Sequence, residues 1–368
     1  LNGEGKLIET GRISKILAFR GLERKPVDEA HAGDIVAIAG LETSTVADTL
    51  VNPGVTVPLP SKPIDPPTLS VTFRINDGPL AGREGDKVQS RVIRERLKRE
   101  AEGNVAIKIT EGEDNDSFDV AGRGELQLAV LIENMRREGF ELTIGRPKVV
   151  FREVDGQRLE PIEEVIIDVD DEHTGVIVQK LTERKGELVD MRPSGVGRQR
   201  MRFYVPTRSL IGYQPELLSD TRGTAIFNRL FHDYQPYKGN LPGRRTGVLI
   251  SNGTGTAVPF ALWNLEDRGS IMIDPGDEIY EGMIVGEHSR ENDLEVNALK
   301  GKQLTNIRTT SKDEAVRLTP PKRLTLEQSL GYIADDEYVE VTPKSIRLRK
   351  IWLDPNDRKK MMRAQKAS

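Results

Sequence analysis

The 368-residue sequence contains no cysteine, no long apolar segment and no phosphate-binding loop. The lack of cysteine excludes a disulfide framework, a thiolate zinc site and a cysteine nucleophile. No apolar run approaches the roughly 18 residues that span a bilayer, and no segment fits the GxxxxGKS/T pattern that holds nucleotide phosphates. The four histidines lack the HxH or HxxxH spacing of a metal site. We therefore expect a cytoplasmic chain that binds no membrane, metal or cofactor.

Aromatic residues are also scarce, at 5% of the chain, and apolar residues reach only 36% against 30% charged residues. This composition is lean for one large core and sufficient for several small ones. The length predicts two to four domains. The sequence begins at Leu1 within a strand-like pattern, and we expect further residues upstream of it.

Residues 1–58 alternate short apolar runs with glycines, as in GRISKILAF and GDIVAIAGL. This alternation is typical of a small β-barrel, and we expect residues 1–58 to form the C-terminal part of one. Six prolines then crowd residues 53–67. Proline lacks the backbone donor and favours extended chain, so residues 59–68 are predicted to be a linker.

Residues 69–150 predict the element order βαββαβ. The first strand alternates polar residues with Leu69, Val71, Phe73 and Ile75. A helical pattern over residues 89–103 is followed by two short strand patterns, a second helix in GELQLAVLIENMRREG and the strand FELTI. This order is that of a ferredoxin-like sandwich.

The same order recurs over residues 158–238. The strand EEVIIDVDD is followed by the helix TGVIVQKLTERKG, the strands ELVDM and MRFYVP, a helix around residues 209–219 and the strand AIFNRLF. Pro215 lies inside the second helix, where proline removes a hydrogen bond and clashes with the preceding turn. We expect that helix to begin or kink at Pro215.

Residues 239–368 are predicted to form a β-rich module. The segment GVLISNGTGTAVPFAL predicts a hairpin with Asn252 and Gly253 at its tip, because this pair tolerates the positive φ angles of a type I′ turn. Further strands are expected at SIMID, EIYEGMIVGEH, EAVRLTP and IRLRKIWL, with a helix around residues 325–333 and a basic helix at the end. The predicted class is multidomain α+β, with a partial β-barrel, two ferredoxin-like domains and a β-rich C-terminal domain.

Positive charge is concentrated at the C-terminal end. Residues 300–368 carry 16 Lys and Arg against 9 Asp and Glu, whereas residues 1–299 carry 38 against 49. Residues 300–312 hold four basic side chains and no acidic one. A positive region on an acidic body can bind phosphate while the rest of the protein is repelled. The charge pattern indicates an RNA partner, and a solvated charge run is the alternative.

The candidate RNA contacts combine basic side chains with short polar ones. Lysine and arginine suit phosphates, whereas asparagine, threonine and serine suit ribose and its 2′-hydroxyl. The predicted contacts are Lys300, Lys302, Asn306, Arg308, Lys312, Arg347, Arg349 and Lys350. The terminal helix, with Arg358, Lys359, Lys360 and Arg363, is either a further contact or a solubilising end.

Carboxylates offer the only pattern for acid–base chemistry, at Glu163, Glu164, Asp168 and Asp170. Because they alternate along a predicted strand, they are more simply its solvent face. An enzyme with this carboxylate site would lose activity on changing Glu164 or Asp168. We expect no catalytic site in this chain.

The segment GRGELQLAVLIENMRREGFEL resembles the GxGELHL helix in the third domain of elongation factor G. The matching residues are Gly122, Gly124, Glu125, Leu126 and Leu128, with Gln127 where histidine is usual. The following segment, from EPIEEVIIDV to GELVDM, resembles the fifth domain of the same factors, with no counterpart of the fourth domain between them. The resemblance implies that residues 1–58 are part of the domain II barrel, and that residues 69–150 and 158–238 correspond to domains III and V.

Longer strings, among them SLIGYQPELLSDTRGTAIFN and YEGMIVGEHSRENDLEVNALKGKQLTNIR, are similar to the BipA (TypA) family of ribosome-associated GTPases. The resemblance covers practically the whole chain. It implies a parent that binds the 70S ribosome, acts in stress adaptation and large-subunit assembly, and responds to guanosine tetraphosphate. GTP and Mg²⁺ would be bound by an N-terminal domain that this chain lacks.

The resemblance also implies specific partners. The loop at residues 301–313 would reach toward the acceptor arm of A-site tRNA and the peptidyl-transferase region of large-subunit rRNA. We expect a monomer that binds the ribosome and neither DNA nor a membrane. A free-standing RNA-binding or assembly protein is the alternative, and it would bind isolated rRNA without the intact particle.

Overall fold

The computed structural model describes the chain except for residues 22, 45, 61–65, 113, 115, 242, 302–316 and 368. The chain divides into two compact units, one of Leu1–Pro66 with Gly103–Ala106 and one of the remaining residues. The first unit contains a three-stranded antiparallel sheet in the order β2-β1-β3. Its strands are β1 (Lys15–Arg20), β2 (Glu23–Val27) and β3 (Val36–Ala39).

The second unit begins with the predicted order βαββαβ. The elements are β4 (Leu69–Ile75), α1 (Ser90–Gly103), β5 (Lys108–Glu111), β6 (Ser117–Gly122), α2 (Glu125–Arg137) and β7 (Leu142–Ile144). The strands lie in the order β5-β6-β4-β7. Leu69, Val71 and Phe73 are buried on one face of β4, because side chains two apart in a strand share a face. The predicted order of strands and helices in this region is confirmed.

A second βαββαβ region follows two short strands, β8 (Lys148–Val149) and β9 (Arg152–Val154). Its elements are β10 (Gln157–Asp170), α3 (Thr174–Glu183), β11 (Glu187–Gly195), β12 (Arg198–Pro206), α4 (Tyr213–Asp220) and β13 (Ile226–Pro236). The strand order is β11-β12-β10-β13, and β9 pairs with β10. Buried residues of β10, β12 and both helices form its core.

The start of α4 explains how Pro215 is tolerated. The predicted helix over residues 209–219 is interrupted: a 3₁₀ turn covers Thr207–Leu210, and α4 begins only at Tyr213. Gly212 lies between them with a φ of 69°, a conformation that glycine adopts without strain. Pro215 is thus the third residue of α4, where a backbone amide has no intrahelical acceptor.

The C-terminal region consists mainly of short strands. They are β14 (Val248–Ser251), β15 (Gly255–Thr256), β16 (Gly269–Ile271), β17 (Glu278–Ile279), β18 (Met283–His288), β19 (Leu294–Val296), β20 (Glu337–Val341) and β21 (Ile346–Lys350). The helices are α5 (Pro259–Glu266), α6 (Leu326–Tyr332) and α7 (Pro355–Ala367). The predicted helices at residues 325–333 and at the C-terminal end are confirmed.

The predicted hairpin at Asn252 and Gly253 is wrong. β14 pairs with β18 and β19, whereas β15 pairs with β17, and the apolar segment that follows Val258 is the helix α5. Pro259 occupies the start of α5, a position where its missing amide costs nothing. The local turn signal was therefore overridden by pairing with strands more distant in sequence.

One sheet joins the first βαββαβ region to the C-terminal region. β20 pairs with β7 in the register Val339↔Ile144 and Val341↔Leu142, and the result is a sheet of 11 strands. Asn76 donates to Glu340 at 3.1 Å, and Arg136 donates to the carbonyl of Thr342 at 2.8 Å. The two regions therefore share both a sheet and a core.

A second junction, between the two βαββαβ regions, involves the first residue of α2, Glu125. Its carboxylate accepts a hydrogen bond from the backbone amide of Gly212 at 3.1 Å and lies 3.5 Å from Arg229 of β13. Gly212 in turn packs against Gly331 of α6, where a Cβ on Gly331 would approach the Gly212 Cα to 2.8 Å. Glycine at both positions lets the backbone of the second βαββαβ region touch the backbone of the C-terminal region.

Thr325 begins α6 with a complete capping box. Its hydroxyl accepts from the amide of Gln328, and the Gln328 side chain accepts from the Thr325 amide at 2.9 Å. Replacing Thr325 with alanine removes the first of these bonds, and we expect a loss of about 1 kcal/mol in the free energy of unfolding. Urea unfolding would measure this. Glu327→Ala, which leaves the box intact, is the control, and an equal loss in both variants would contradict a capping role.

Within the residues that the structure covers, no helix has the length and apolar character needed to cross a membrane.

Candidate RNA-binding surface of the C-terminal region

The predicted RNA loop is anchored by its two ends. Lys302, Asn306, Arg308 and Lys312 lie outside the described residues, whereas Lys300 is described and exposed. Before the loop, the carbonyl of Ala298 accepts from the amide of Val258 at 3.0 Å. After it, the amide of Thr319 donates to Glu266 at 2.6 Å. Both anchors are on or next to α5.

Arg347, Arg349 and Lys350 lie on β21, between β18 and β20 near the middle of the sheet. The Arg349 side chain is 2% exposed and pairs with Asp77, and Arg347 pairs with Glu84 and, at 3.2 Å, with Glu340. Their positive charges are compensated by carboxylates of the protein itself. The sequence alone could not show this. We do not include these three residues in the proposed RNA surface.

Lys350 is the centre of a buried ionic cluster. Its side chain is 2% exposed, and its Nζ lies 2.6 Å from Asp293, 2.8 Å from Asp336 and 2.9 Å from Glu337. Glu337 also pairs with Arg244 at 2.8 Å. Burial alone would lower the pKa of Lys350, but the three carboxylates, Glu337 foremost, outweigh burial and raise that pKa. Lys350 is therefore a stabilising cation of the core.

The basic helix α7 is held by one buried arginine. Arg358 donates to the carbonyls of Trp352 and Leu353 and to the Glu295 carboxylate. Lys359, Lys360 and Arg363 are exposed on the same helix. The helix thus presents these three basic side chains to solvent, while Arg358 fixes its first turn.

Each carboxylate of the acid–base alternative has an arginine partner. Asp168 lies 2.8 Å from Arg200, Asp170 lies 2.9 Å from Arg198, and Glu164 lies 3.4 Å from Arg202. The Asp168 and Asp170 pairs lie directly opposite each other on β10 and β12, whereas Arg202 is opposite Ile166 and reaches Glu164 diagonally. The hydrogen bonds from Arg200 hold the pKa of Asp168 below its usual range. An ionised acid that is paired with arginine is a poor proton donor.

Glu163 is buried, unlike Glu164 and Asp170. Its carboxylate lies 3.6 Å from Arg229, which also approaches Glu125. Burial raises the pKa of both Glu163 and Glu125, and Arg229 opposes that rise. This triad joins β10 and β13 to α2.

One cleft among the described residues has a volume of about 630 Å³ and is lined mainly by β18, β21 and residues 272–278 and 322–324. Most of its charged lining residues are already paired, including Arg347 with Glu84, Lys322 with Glu287 and Arg323 with Asp274. No group of three or more His, Asp or Glu residues in the described ranges could hold a metal ion.

The sequence interpretation missed an aromatic pair on α5. Phe260 and Trp263 are three residues apart, which places them on one side of a helix, and their ring centroids are 6.3 Å apart. Trp263 is 50% exposed. The sequence did contain a signal for this pair. Pro259 is typical of a helix start, and Phe260 and Trp263 follow it at helical spacing.

Two family models match adjoining parts of the chain. The model described as Elongation factor G C-terminus matches residues 157–245, and the TypA/BipA C-terminal domain matches residues 246–355. The first covers the second βαββαβ region, and the second covers most of the C-terminal region, including both ends of the loop.

Curated relatives are similar over nearly the whole chain. A protein named Large ribosomal subunit assembly factor BipA from Escherichia coli K12 is 50% identical over 367 residues, which are 100% of this chain and 60% of the relative. The proteins of the same name from Haemophilus influenzae and Bacillus subtilis are 49% and 48% identical, over 99% and 97% of this chain and 59% and 58% of their own lengths. The chain thus spans about 60% of the length of these relatives. Over the residues it contains, the chain belongs to the TypA/BipA family.

Proposed function

We propose that this chain is the ribosome-docking part of a BipA-like translational GTPase that acts in large-subunit assembly and in translation under stress. The observation that carries the proposal is near 50% identity, over the whole chain, to proteins named large ribosomal subunit assembly factors. GTP and Mg²⁺ would be bound by residues outside this sequence. The protein would act as a cytoplasmic monomer.

The proposed domain arrangement follows that of elongation factor G. Residues 69–150 and 158–238 would be ferredoxin-like domains that correspond to its domains III and V, and residues 239–368 would be the family-specific RNA-binding domain. The strand orders β5-β6-β4-β7 and β11-β12-β10-β13 support this assignment. Residues 1–58 would complete a domain II barrel, with the linker at residues 59–68.

The proposed RNA contacts are Lys300, Lys302, Asn306, Arg308 and Lys312, which would bind rRNA of the large subunit and the acceptor arm of A-site tRNA. Lysine and arginine would neutralise phosphates, and Asn306 would bind ribose or a base edge. Residues 300–312 contain four positively charged side chains and no acidic one, which supports this role.

Co-sedimentation with 70S ribosomes across a salt series tests the proposal. We expect the variant with Lys300, Lys302, Arg308 and Lys312 changed to alanine to bind more weakly than the wild type. Each lost phosphate contact should reduce the log–log salt slope by up to about 0.7 to 0.9, because fewer counterions are released. Isolated 23S rRNA serves as a second target, and equal affinity for it would favour a free-standing RNA-binding protein.

A charge-matched control separates the loop from general electrostatics. It changes four exposed basic residues of other regions to alanine, namely Lys15, Lys98, Arg99 and Lys108. This control should keep the wild-type slope. If the loop variant pellets like the wild type, or if both variants lose slope equally, the loop is not the RNA contact.

A further inference from the structure

The aromatic pair on α5 is only partly covered by the protein, because Trp263 is exposed and Phe260 is half-buried. Ala261 and Leu262 are buried in the C-terminal region, whereas Trp263 keeps half of its surface in solvent beside Phe260. A large aromatic side chain contributes most when its faces are covered. The solvent-facing half of Trp263 is therefore available to a partner. A partner that stacks on aromatic rings would gain from this arrangement.

Two exposed cations lie near the two ends of this helix. Lys300 is two residues beyond Ala298, which is bonded to Val258 at the start of α5. Arg317 is two residues before Thr319, which is bonded to Glu266 at the end of α5. Two residues of extended chain span at most about 7 Å, so both cations remain close to the helix. Neither has an ion-pair partner within the described ranges.

The charges around the helix favour a negatively charged partner. Glu266 is engaged by the Thr319 amide, and the exposed Asp267 is followed directly by the exposed Arg268. With Lys300 and Arg317, three cations lie near the aromatic pair against the two carboxylates of Glu266 and Asp267. Aromatic rings flanked by lysine and arginine are the arrangement that binds unpaired nucleotides, by base stacking and phosphate contact.

We propose that Phe260 and Trp263 form a stacking platform for an unpaired RNA base, with Lys300 and Arg317 binding the phosphates on either side. This inference rests on the proposed ribosome-docking function. It adds base stacking to the phosphate and ribose contacts proposed above. Stacking is tolerant of base identity because every base has a π face. The platform therefore adds affinity for single-stranded RNA and little sequence preference.

Binding of Trp263→Ala and Trp263→Tyr to 70S ribosomes and to a single-stranded adenosine decanucleotide tests the platform. We expect Trp263→Ala to weaken both interactions between about fivefold and 100-fold. Its salt slope should match that of the wild type, because stacking releases no counterions. Trp263→Tyr should retain most of the affinity. The decanucleotide should quench tryptophan emission in the wild type and not in Trp263→Tyr.

A matched control is Leu230→Ala, since Leu230 is also an exposed apolar side chain, at 67%, on β13. This variant should bind like the wild type. Equal binding by Trp263→Ala, or equal weakening by Leu230→Ala, would overturn the platform. If Trp263→Ala weakens ribosome binding but not decanucleotide binding, the platform contacts a protein and the RNA assignment is wrong.

The two proposals fail in different ways. If the wild-type chain binds ribosomes, the four-alanine loop variant loses salt slope and Trp263→Ala binds normally, only the platform is wrong. If the wild-type chain binds neither ribosomes nor RNA, both proposals are wrong. A double variant, Lys300→Ala with Arg317→Ala, should flatten the salt slope while leaving tryptophan quenching at saturation unchanged.

Discussion

Replacing Lys350 with methionine is expected to lower the free energy of unfolding by about 3 to 5 kcal/mol. The lysine is 2% exposed and lies within 2.9 Å of three carboxylates, Asp293, Asp336 and Glu337. Methionine fills a similar volume but leaves these carboxylates without their shared cation. Among the residues that the structure describes, Glu337 alone of the three keeps an arginine partner, Arg244.

Urea unfolding followed by circular dichroism would measure the loss. The control is Lys344→Met, because Lys344 is exposed and makes no ion pair within the described ranges; its effect should stay within about 0.5 kcal/mol. Ribosome binding of Lys350→Met, measured well below its unfolding transition, should keep the wild-type salt slope. A flatter slope would return Lys350 to the RNA surface and contradict its structural role.

Replacing Arg229 with methionine should cost about 3 kcal/mol at neutral pH, near the low end for a broken buried pair. Arg229 lies between Glu125 and Glu163 at 3.5 and 3.6 Å, and all three side chains keep some solvent contact. Removing the cation leaves two carboxylates close together in a desolvated junction. The junction also fixes α2 against β13, so loss of Arg229 should loosen the contact between these regions.

The stability that Arg229→Met loses should depend on pH in a defined direction. Burial raises the pKa of Glu125 and of Glu163 above the ordinary value, and Arg229 lowers both. A carboxyl whose pKa is raised by folding favours the folded state below its unfolded pKa, and this contribution is lost as pH rises through the folded pKa. Without Arg229 both pKa values rise further. The deficit of the variant should therefore shrink as the pH is lowered from neutral toward the ordinary pKa of glutamate.

Urea unfolding of the wild type and of Arg229→Met, measured at several pH values from neutral down toward the ordinary pKa of glutamate, would test the sign. Arg222→Met is the control, because Arg222 is 81% exposed and lies 3.8 Å from Glu172. That variant should track the wild type at every pH. A deficit of Arg229→Met that grows on acidification would contradict the buried-carboxylate account.

Local periodicity was sufficient to predict both βαββαβ regions. The alternation of Leu69, Val71 and Phe73 and the helical spacing of Ile93 and Leu97 place apolar side chains on one face whatever the tertiary context. The prediction was wrong where the signal was a turn alone. Asn252 and Gly253 favour a hairpin, but β14 finds its partners in β18 and β19 instead.

The candidate RNA-binding residues also divide into those that the sequence could predict and those that it could not. The basic composition of residues 300–312 could be read from the sequence, because charge requires no knowledge of the fold. The environment of Arg347, Arg349 and Lys350 could not, because their carboxylate partners are far away in sequence, as with Asp77 and Arg349. A positive side chain on a strand looks the same in sequence whether it faces RNA or a buried carboxylate.

The sequence by itself determined the order of most helices and strands, the lack of a phosphate loop and of cysteine chemistry, and the acidic body with a basic C-terminal region. These follow from residue type and spacing over a few turns of chain. Only the tertiary structure decided that β20 joins β7 in one sheet, that Lys350 neutralises a buried cluster, and that α5 carries its aromatic pair between the two ends of the loop. Each of these depends on contacts between residues distant in sequence, where the energy of pairing and burial outweighs local preference.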